Sequence, residues 1–197
     1  MKKEFEVISQ IIQNNKRVLD VGCGDGTLME YLKLKQQNDV RGLEPQKNLV
    51  QKCIAKGLSV IEGDAEKELF QFPEKSFDYV VLSQTLQAFL YPEEVLNQLL
   101  RIGRQTIVSI PNFGYWKVRM HLLFKGPMPV TKNLPNEWFN TPNLHMCSIK
   151  DFVNFCNKKS IKIDQSMCLT NEKISEITNN NVNYKNIFSE LGIFLIR

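Results

Sequence analysis

The sequence predicts an α/β protein: a largely parallel sheet with helices on both faces. Three observations predict it. Short apolar strands alternate with helix-patterned stretches from residue 5 to residue 110. One strand, Phe77–Ser83, is apolar at nearly every position, as strands covered on both faces tend to be. A glycine-rich turn, Gly22-Cys23-Gly24-Asp25-Gly26, follows the first strand. Strand–helix alternation of this kind builds a parallel sheet sandwiched between helices.

The elements follow in order. Phe5, Ile8, Ile11 and Ile12 fall at helical spacing and predict a helix over 5–14. Val18–Val21 reads as a short buried strand. Thr27–Lys33 reads as a helix, with Leu28 and Leu32 four apart. Val40–Glu44 is the next strand and Pro45 ends it. Leu49–Lys56 is a helix stopped by Gly57. Leu58–Glu62 and Phe77–Ser83 are strands three and four. Pro92–Ile102 is a helix, with proline in its first turn, Glu93 and Glu94 at its positive end and Gly103 beyond it. Thr106–Ile110 is strand five. The pattern then breaks: residues 111–147 hold five prolines and give no clean period. A helix over 151–156 and strands over 161–169 and 193–196 resume it, with Thr178–Asn181 as a loop between them. No linker divides the chain, so one domain over 1–197 is expected, with 111–147 as an insertion or cap after strand five.

Composition narrows the function. Apolar residues make up 43% of the 197 positions and charged residues 23%, which excludes global disorder. No apolar run reaches the ~20 residues of a membrane-spanning helix, so no membrane partner is expected. No apolar stretch follows Lys2 and Lys3, so a secretory leader is not expected. Five cysteines without a CxxC pair argue for a reduced, cytoplasmic protein. With two histidines they offer no zinc site, and no metal is expected. The net charge is +4, and all of it falls within residues 111–150, where Lys117, Arg119, Lys125, Lys132 and Lys150 face one acid, Glu137. Such a patch suits an anionic ligand or an acidic protein surface, or is simply a solvated loop. It is too sparse for nucleic acid.

The chemistry centres on the glycine turn. Its GxGxG spacing differs from the GxGxxG of dinucleotide binders, and Asp20 precedes it by two positions. A carboxylate there would repel a pyrophosphate. It suits a ligand bearing an ammonium or a sulfonium, and S-adenosylmethionine (SAM) carries both. Glu44, with Pro45 after it, ends strand two, where an acid can accept from both ribose hydroxyls. Asp64-Ala65 follows strand three, where an Asp can accept from the adenine amine. Ser83-Gln84 follows strand four on the same rim. Ligands in open α/β sheets bind along that carboxyl-end rim. The candidate cofactor residues are therefore Asp20, Gly22, Cys23, Gly24, Gly26, Glu44, Pro45, Asp64, Ala65, Ser83 and Gln84. Three of these acids have plainer readings. Asp20 can be a structural acid bonded to loop amides, Glu44 a solvated strand end, and Asp64 a helix N-cap. Cys23 contributes backbone and small size.

The chain resembles the methionine biosynthesis protein MetW family, within the class I SAM-dependent methyltransferases. The strings that carry the resemblance are Ser83–Gln87, Pro111–Trp116, Met128–Lys132 and Thr141–His145. The resemblance implies a Rossmann-like, seven-stranded mixed sheet of order 3-2-1-4-5-7-6 whose last strand is antiparallel. It implies S-adenosylmethionine or S-adenosylhomocysteine as cofactor. It also implies a role beside homoserine O-acyltransferase (acetyl or succinyl) in methionine biosynthesis. The chain departs from the family at Glu44-Pro45-Gln46, where an aspartate-containing helix start is preferred.

Methyl transfer needs positioning and exclusion of water more than a fixed catalytic residue. A base is needed only where the acceptor must lose a proton. His145 is the candidate base, and His121, in an apolar stretch, a weaker one. Asn112, Tyr115, Trp116, Trp138 and His145 are candidates for an acceptor pocket or a partner surface. Pro111-Asn112-Phe113-Gly114 follows strand five and puts proline before asparagine, unlike the strand-four motif of nucleic-acid amine methyltransferases. Two readings stand: a methyltransferase on an unidentified acceptor, or a non-catalytic, SAM-responsive partner of the acyltransferase.

Overall fold

A computed structural model describes residues 2–131 and 133–197. Met1 and Lys132, the latter one of the basic-segment charges and the end of the Met128–Lys132 string, lie outside the described residues. Five parallel strands form one side of the sheet: β1 (Arg17–Val21), β2 (Asp39–Glu44), β3 (Ser59–Glu62), β4 (Phe77–Ser83) and β5 (Gly103–Pro111), in the order 3-2-1-4-5. Beyond them lie β6 (Ile163–Thr170), β7 (Lys173–Glu176) and β8 (Leu191–Ile196). β8 runs antiparallel to β5, and β6 pairs on its far side.

The described sheet has eight strands, not seven, in the order β3-β2-β1-β4-β5-β8-β6-β7. The additional strand, β7, is the outer arm of a hairpin with β6. Asn171 and Glu172 join the two arms at φ 47° and 67°, the left-handed pair that tight hairpins use to match strand twist. Without β7 the expected order 3-2-1-4-5-7-6 is recovered.

Among the described residues eight α-helices accompany the sheet. α1 (Lys3–Ile11), α2 (Thr27–Gln36) and α3 (Lys47–Ala55) bring Val7, Ile8, Leu28, Met29, Leu32 and Cys53 to one face. α4 (Ala65–Glu68), α5 (Pro92–Ile102), and α7 (Ile149–Lys158) cover the other with Leu96, Leu99, Ile102, Phe152 and Cys156. α6 (Trp116–Lys125) follows β5, and α8 (Val182–Phe188) sets Val182 against the core of the α7 face. α6 falls within the segment that gave no period. The reason is physical: only Val118 of this helix is buried, so no apolar stripe marks it. α7 opens on a capping box between Ser148 and Asp151.

Strand alternation sorts the side chains between the two faces. Val18, Tyr79, Val81 and Ile107 belong to the α1–α3 face. Leu19, Val80, Leu82 and Val108 belong to the other. By the same period of two, Asp20, Ser83 and Ser109 turn toward the face carrying α1.

Candidate cofactor site

The glycine turn is fastened from β2. Gly22 N–H donates to Leu43 O at 2.8 Å. The buried Glu44 carboxylate accepts from Gly24 N–H at 2.9 Å and from Gln46 N–H at 3.0 Å. Glu44 is thus no solvated strand end. Each of its oxygens has one backbone donor and retains acceptor capacity for more. Gly24 sits at φ +59°, and a Cβ there would meet nothing within 4 Å. A ligand can therefore approach this backbone closely. Gly26, at φ +76°, starts α2, and a Cβ on it would lie 2.5 Å from Leu58 Cδ1.

Asp20 is 2% exposed, and its carboxylate makes no hydrogen bond among the described residues. Its structural reading, as an acid bonded to loop amides, does not hold. Burial pushes its carboxyl up to about 7, helped by the negative charges of Glu4 and Glu44.

Glu4 was not legible as a site residue, yet it reaches this rim from α1. It is 3% exposed. Its carboxylate accepts from Ser83 Oγ at 2.7 Å, from Ser109 Oγ and from Gln84 Nε2. Ser109 also accepts from Gln84 N–H at 3.0 Å, and Gln84 is held at φ 51°. A signal for Glu4 did exist: it precedes Val7 and Ile8 by three and four positions, so it falls on the helix's apolar stripe.

Beside this network opens a cavity of about 610 Å³, lined by Lys2, Glu4, Thr27, Gln84, Pro135 and Leu191 among others. Of the candidate cofactor residues only Gln84 lines it; Asp20, Gly22, Cys23, Gly24, Gly26, Glu44, Pro45, Asp64, Ala65 and Ser83 lie off its lining. Asp64 caps α4, accepting from Glu66 N–H at 3.1 Å, and is partly exposed. Pro45 is exposed. Cys23 is buried beside Asp20, and desolvation followed by that charge raises its thiol far above the ordinary range. A thiol held protonated in this way is a poor nucleophile.

The structure scatters the remaining candidates. Asn112 is buried: its Nδ2 donates to Asn186 O and Ser189 O, and its Oδ1 accepts from Gly114 and Ile149 N–H. Its hydrogen-bonding capacity is used within the protein. Tyr115 is buried, whereas Trp116 and Trp138 are exposed. His145 lies outside the lining of the large cavity. It borders a separate apolar pocket of about 340 Å³ with Leu86, Gln87, Cys147 and Phe155. His121 lies on α6. Among the described residues no cluster of His, Cys, Asp and Glu could hold a metal, and no helix is long and apolar enough to cross a membrane.

The family model for methionine biosynthesis protein MetW matches residues 2–196. A bifunctional methionine biosynthesis protein MetXA/MetW from Rhodopirellula baltica is 34% identical over 172 residues, covering 82% of this chain and 27% of that protein. A demethylmenaquinone methyltransferase from Listeria welshimeri is 28% identical over 134 residues, covering 60% of this chain and 56% of that one. The chain therefore spans about a quarter and about half of these two relatives. Among solved structures, a SAM-dependent methyltransferase from Thermotoga maritima superposes with TM-score 0.67 at 16% identity, over 98% of this chain and 89% of that one. Another from Mesorhizobium loti gives 0.69 at 14%, over 100% and 98%. The [4+2]-cyclase SpnF gives 0.69 at 13%, over 99% and 80%. The shared feature is the class I methyltransferase fold, which does not by itself fix a reaction.

Proposed function

The chain belongs to the methionine biosynthesis protein MetW family, and from that premise we propose that it binds SAM at the carboxyl ends of β1 to β4 and transfers a methyl group to an acceptor seated in the adjoining cavity. The observation that carries this reading is Asp20, a carboxylate 2% exposed and without a hydrogen-bond partner among the described residues. Such a group is costly unless a cation or donor meets it. The ammonium of SAM supplies both.

The residues present fit the cofactor. Gly24 leaves open space for backbone approach. Glu44 keeps acceptor capacity for ribose hydroxyls while bracing the turn. Asp64 can serve adenine and still cap α4. Gly22, Cys23, Gly26, Pro45, Ala65, Ser83 and Gln84 complete the rim. When bound, SAM supplies a methyl group activated by its sulfonium. The chain's own part is to hold acceptor and methyl in line and keep water out. The segment over 111–147 contributes Pro135 to the cavity lining, which supports its role as a cap.

A second reading rests on a separate observation. α6 exposes Leu123 and Phe124 at 68% and 78%, beside Lys117 and Lys125. Trp116 and Trp138 are exposed in the same segment. The R. baltica relative is named for two activities in one chain. A SAM-responsive protein that docks this segment on homoserine O-acyltransferase accounts for both facts.

Thermal unfolding with SAM, with S-adenosylhomocysteine and alone tests the site. A ligand at a hundred times its Kd adds about 2.7 kcal/mol, or roughly 5–10 °C at this size. The shift should vanish when Asp20→Ala and Glu44→Ala are combined. No shift with either ligand in the unaltered protein would overturn the cofactor reading. Methyl turnover with and without the acyltransferase separates catalyst from sensor.

A further inference from the structure

We propose that Glu4 is a second anchor for the ammonium group of the ligand, so that the ligand fastens helix α1 over the site it occupies. The proposal rests on the cofactor reading above and extends it to a residue outside the strand–turn–helix units.

Three observations carry it. First, Glu4 is buried at the carboxyl ends of β4 and β5 with neutral donors for company: Ser83, Gln84 and Ser109. Among the described residues its carboxylate has no ion pair, and the neighbouring Lys3 is paired with Glu6 instead. Second, Asp20 turns to the same face and is as deeply buried, and its carboxylate makes no hydrogen bond among the described residues. The two carboxylates are close enough that the charge of Glu4 raises the pKa of Asp20. Like charges held together in a poorly solvated site repel strongly. An ammonium offers three donors and one positive charge, enough to serve both acids at once. Third, the large cavity opens at Glu4 and Gln84, so this point is reachable from solvent.

The consequence concerns α1. Val7, Ile8 and Ile12 pack this helix on the sheet, but its first turn is fixed at the rim through Glu4. Where Asp20 is ionised, above about pH 7, that turn is held against its repulsion unless a cation is present. With one, repulsion becomes attraction and the turn tightens.

Titration calorimetry should compare two probes, S-adenosylhomocysteine, which bears the ammonium, and 5′-methylthioadenosine, which lacks it. Charge-assisted hydrogen bonds are strong enough that Glu4→Gln should weaken S-adenosylhomocysteine by about tenfold or more. It should leave 5′-methylthioadenosine unchanged. Hydrogen exchange on the unaltered protein gives a readout that needs no variant: S-adenosylhomocysteine should protect residues 3–11, and 5′-methylthioadenosine should not. Equal binding of S-adenosylhomocysteine by Glu4→Gln, equal losses for both probes, or equal protection by both would overturn the proposal. If the unaltered protein binds neither probe, the cofactor reading itself fails and takes the proposal with it.

Discussion

Glu44 and Gly24, 20 residues apart in the chain, are joined by a 2.9 Å hydrogen bond from the glycine N–H to the carboxylate. The bond locks the end of β2 to the turn after β1. It also fixes which way the Glu44 oxygens face.

Glu44→Ala should therefore have two separable effects. The donors of half-buried Gly24 and exposed Gln46 lose their acceptor; water reaches them in part, so the expected loss is about 1 kcal/mol, the net worth of ordinary hydrogen bonds. Melting curves of the free protein read that loss. Binding of S-adenosylhomocysteine should fall further than stability does, because the proposed ribose acceptor is gone as well. Glu44→Gln keeps one acceptor oxygen and should recover part of the stability. If Glu44→Ala bound the ligand normally, Glu44 would be a structural brace alone.

Asp20 makes the free protein pH-sensitive. Its carboxyl is raised from 3.8 to about 7 in the fold. Between those values the folded protein holds a proton that the unfolded chain has released. Stability from this group is thus unimpaired below pH 4 and falls as pH rises toward 7. Three pH units at about 1.4 kcal/mol each amount to a penalty of about 4 kcal/mol at pH 8. Asp20→Asn should remove it: the variant should be more stable than the unaltered chain at pH 8 and equal to it near pH 4. Urea unfolding at both values tests this. S-adenosylhomocysteine should stabilise the unaltered chain and not the variant.

Much of the fold was readable because the inner strands are short apolar runs and most helices carry a clear period. The nearly continuous apolar runs of Val18–Val21 and Phe77–Ser83 marked two strands covered on both faces. β7 was not readable: Lys173–Glu176 is exposed or half-exposed throughout and has no apolar face to announce it. α6 failed for the same reason. At the site, Asp20, Glu44, Ser83 and Gln84 stood out because acids and small polar residues at strand ends break an apolar pattern. Ser109 breaks its strand in the same way and was passed over. Glu4 comes from a helix remote in sequence, and its three partners are brought to it by the sheet. Asn112 carries a structural task that the sequence did not announce: it is a buried tie between backbone segments.

Asn112→Ala should accordingly destabilise without touching the ligand. It leaves two carbonyls and two N–H groups short of partners in a buried place. A loss of about 2–4 kcal/mol is expected from so many unmet groups. Urea unfolding measures it. Affinity for S-adenosylhomocysteine, measured where the variant is fully folded, should match that of the unaltered chain. A selective loss of ligand affinity would instead return Asn112 to the site.

The docking reading makes the sharpest demand on α6. Leu123 and Phe124 project from a helix whose buried contact is Val118 alone, so they contribute little to the fold. Replacing both with aspartate should leave the melting temperature nearly unchanged, since surface substitutions usually fall within about 0.5 kcal/mol. The same change places two acids on a face whose Lys117 and Lys125 suit an acidic partner, and it removes the apolar contact. Association with homoserine O-acyltransferase, followed by analytical sizing, should be abolished. Binding of S-adenosylhomocysteine should persist. If the protein is a sensor, linkage adds a further requirement: whatever factor the ligand imposes on affinity for the acyltransferase, the acyltransferase must impose on affinity for the ligand. Titrating each in the presence of the other measures both factors. Equal factors different from one support the sensor. Factors of one, with complex formation intact, reduce the protein to a docking partner whose ligand serves catalysis instead.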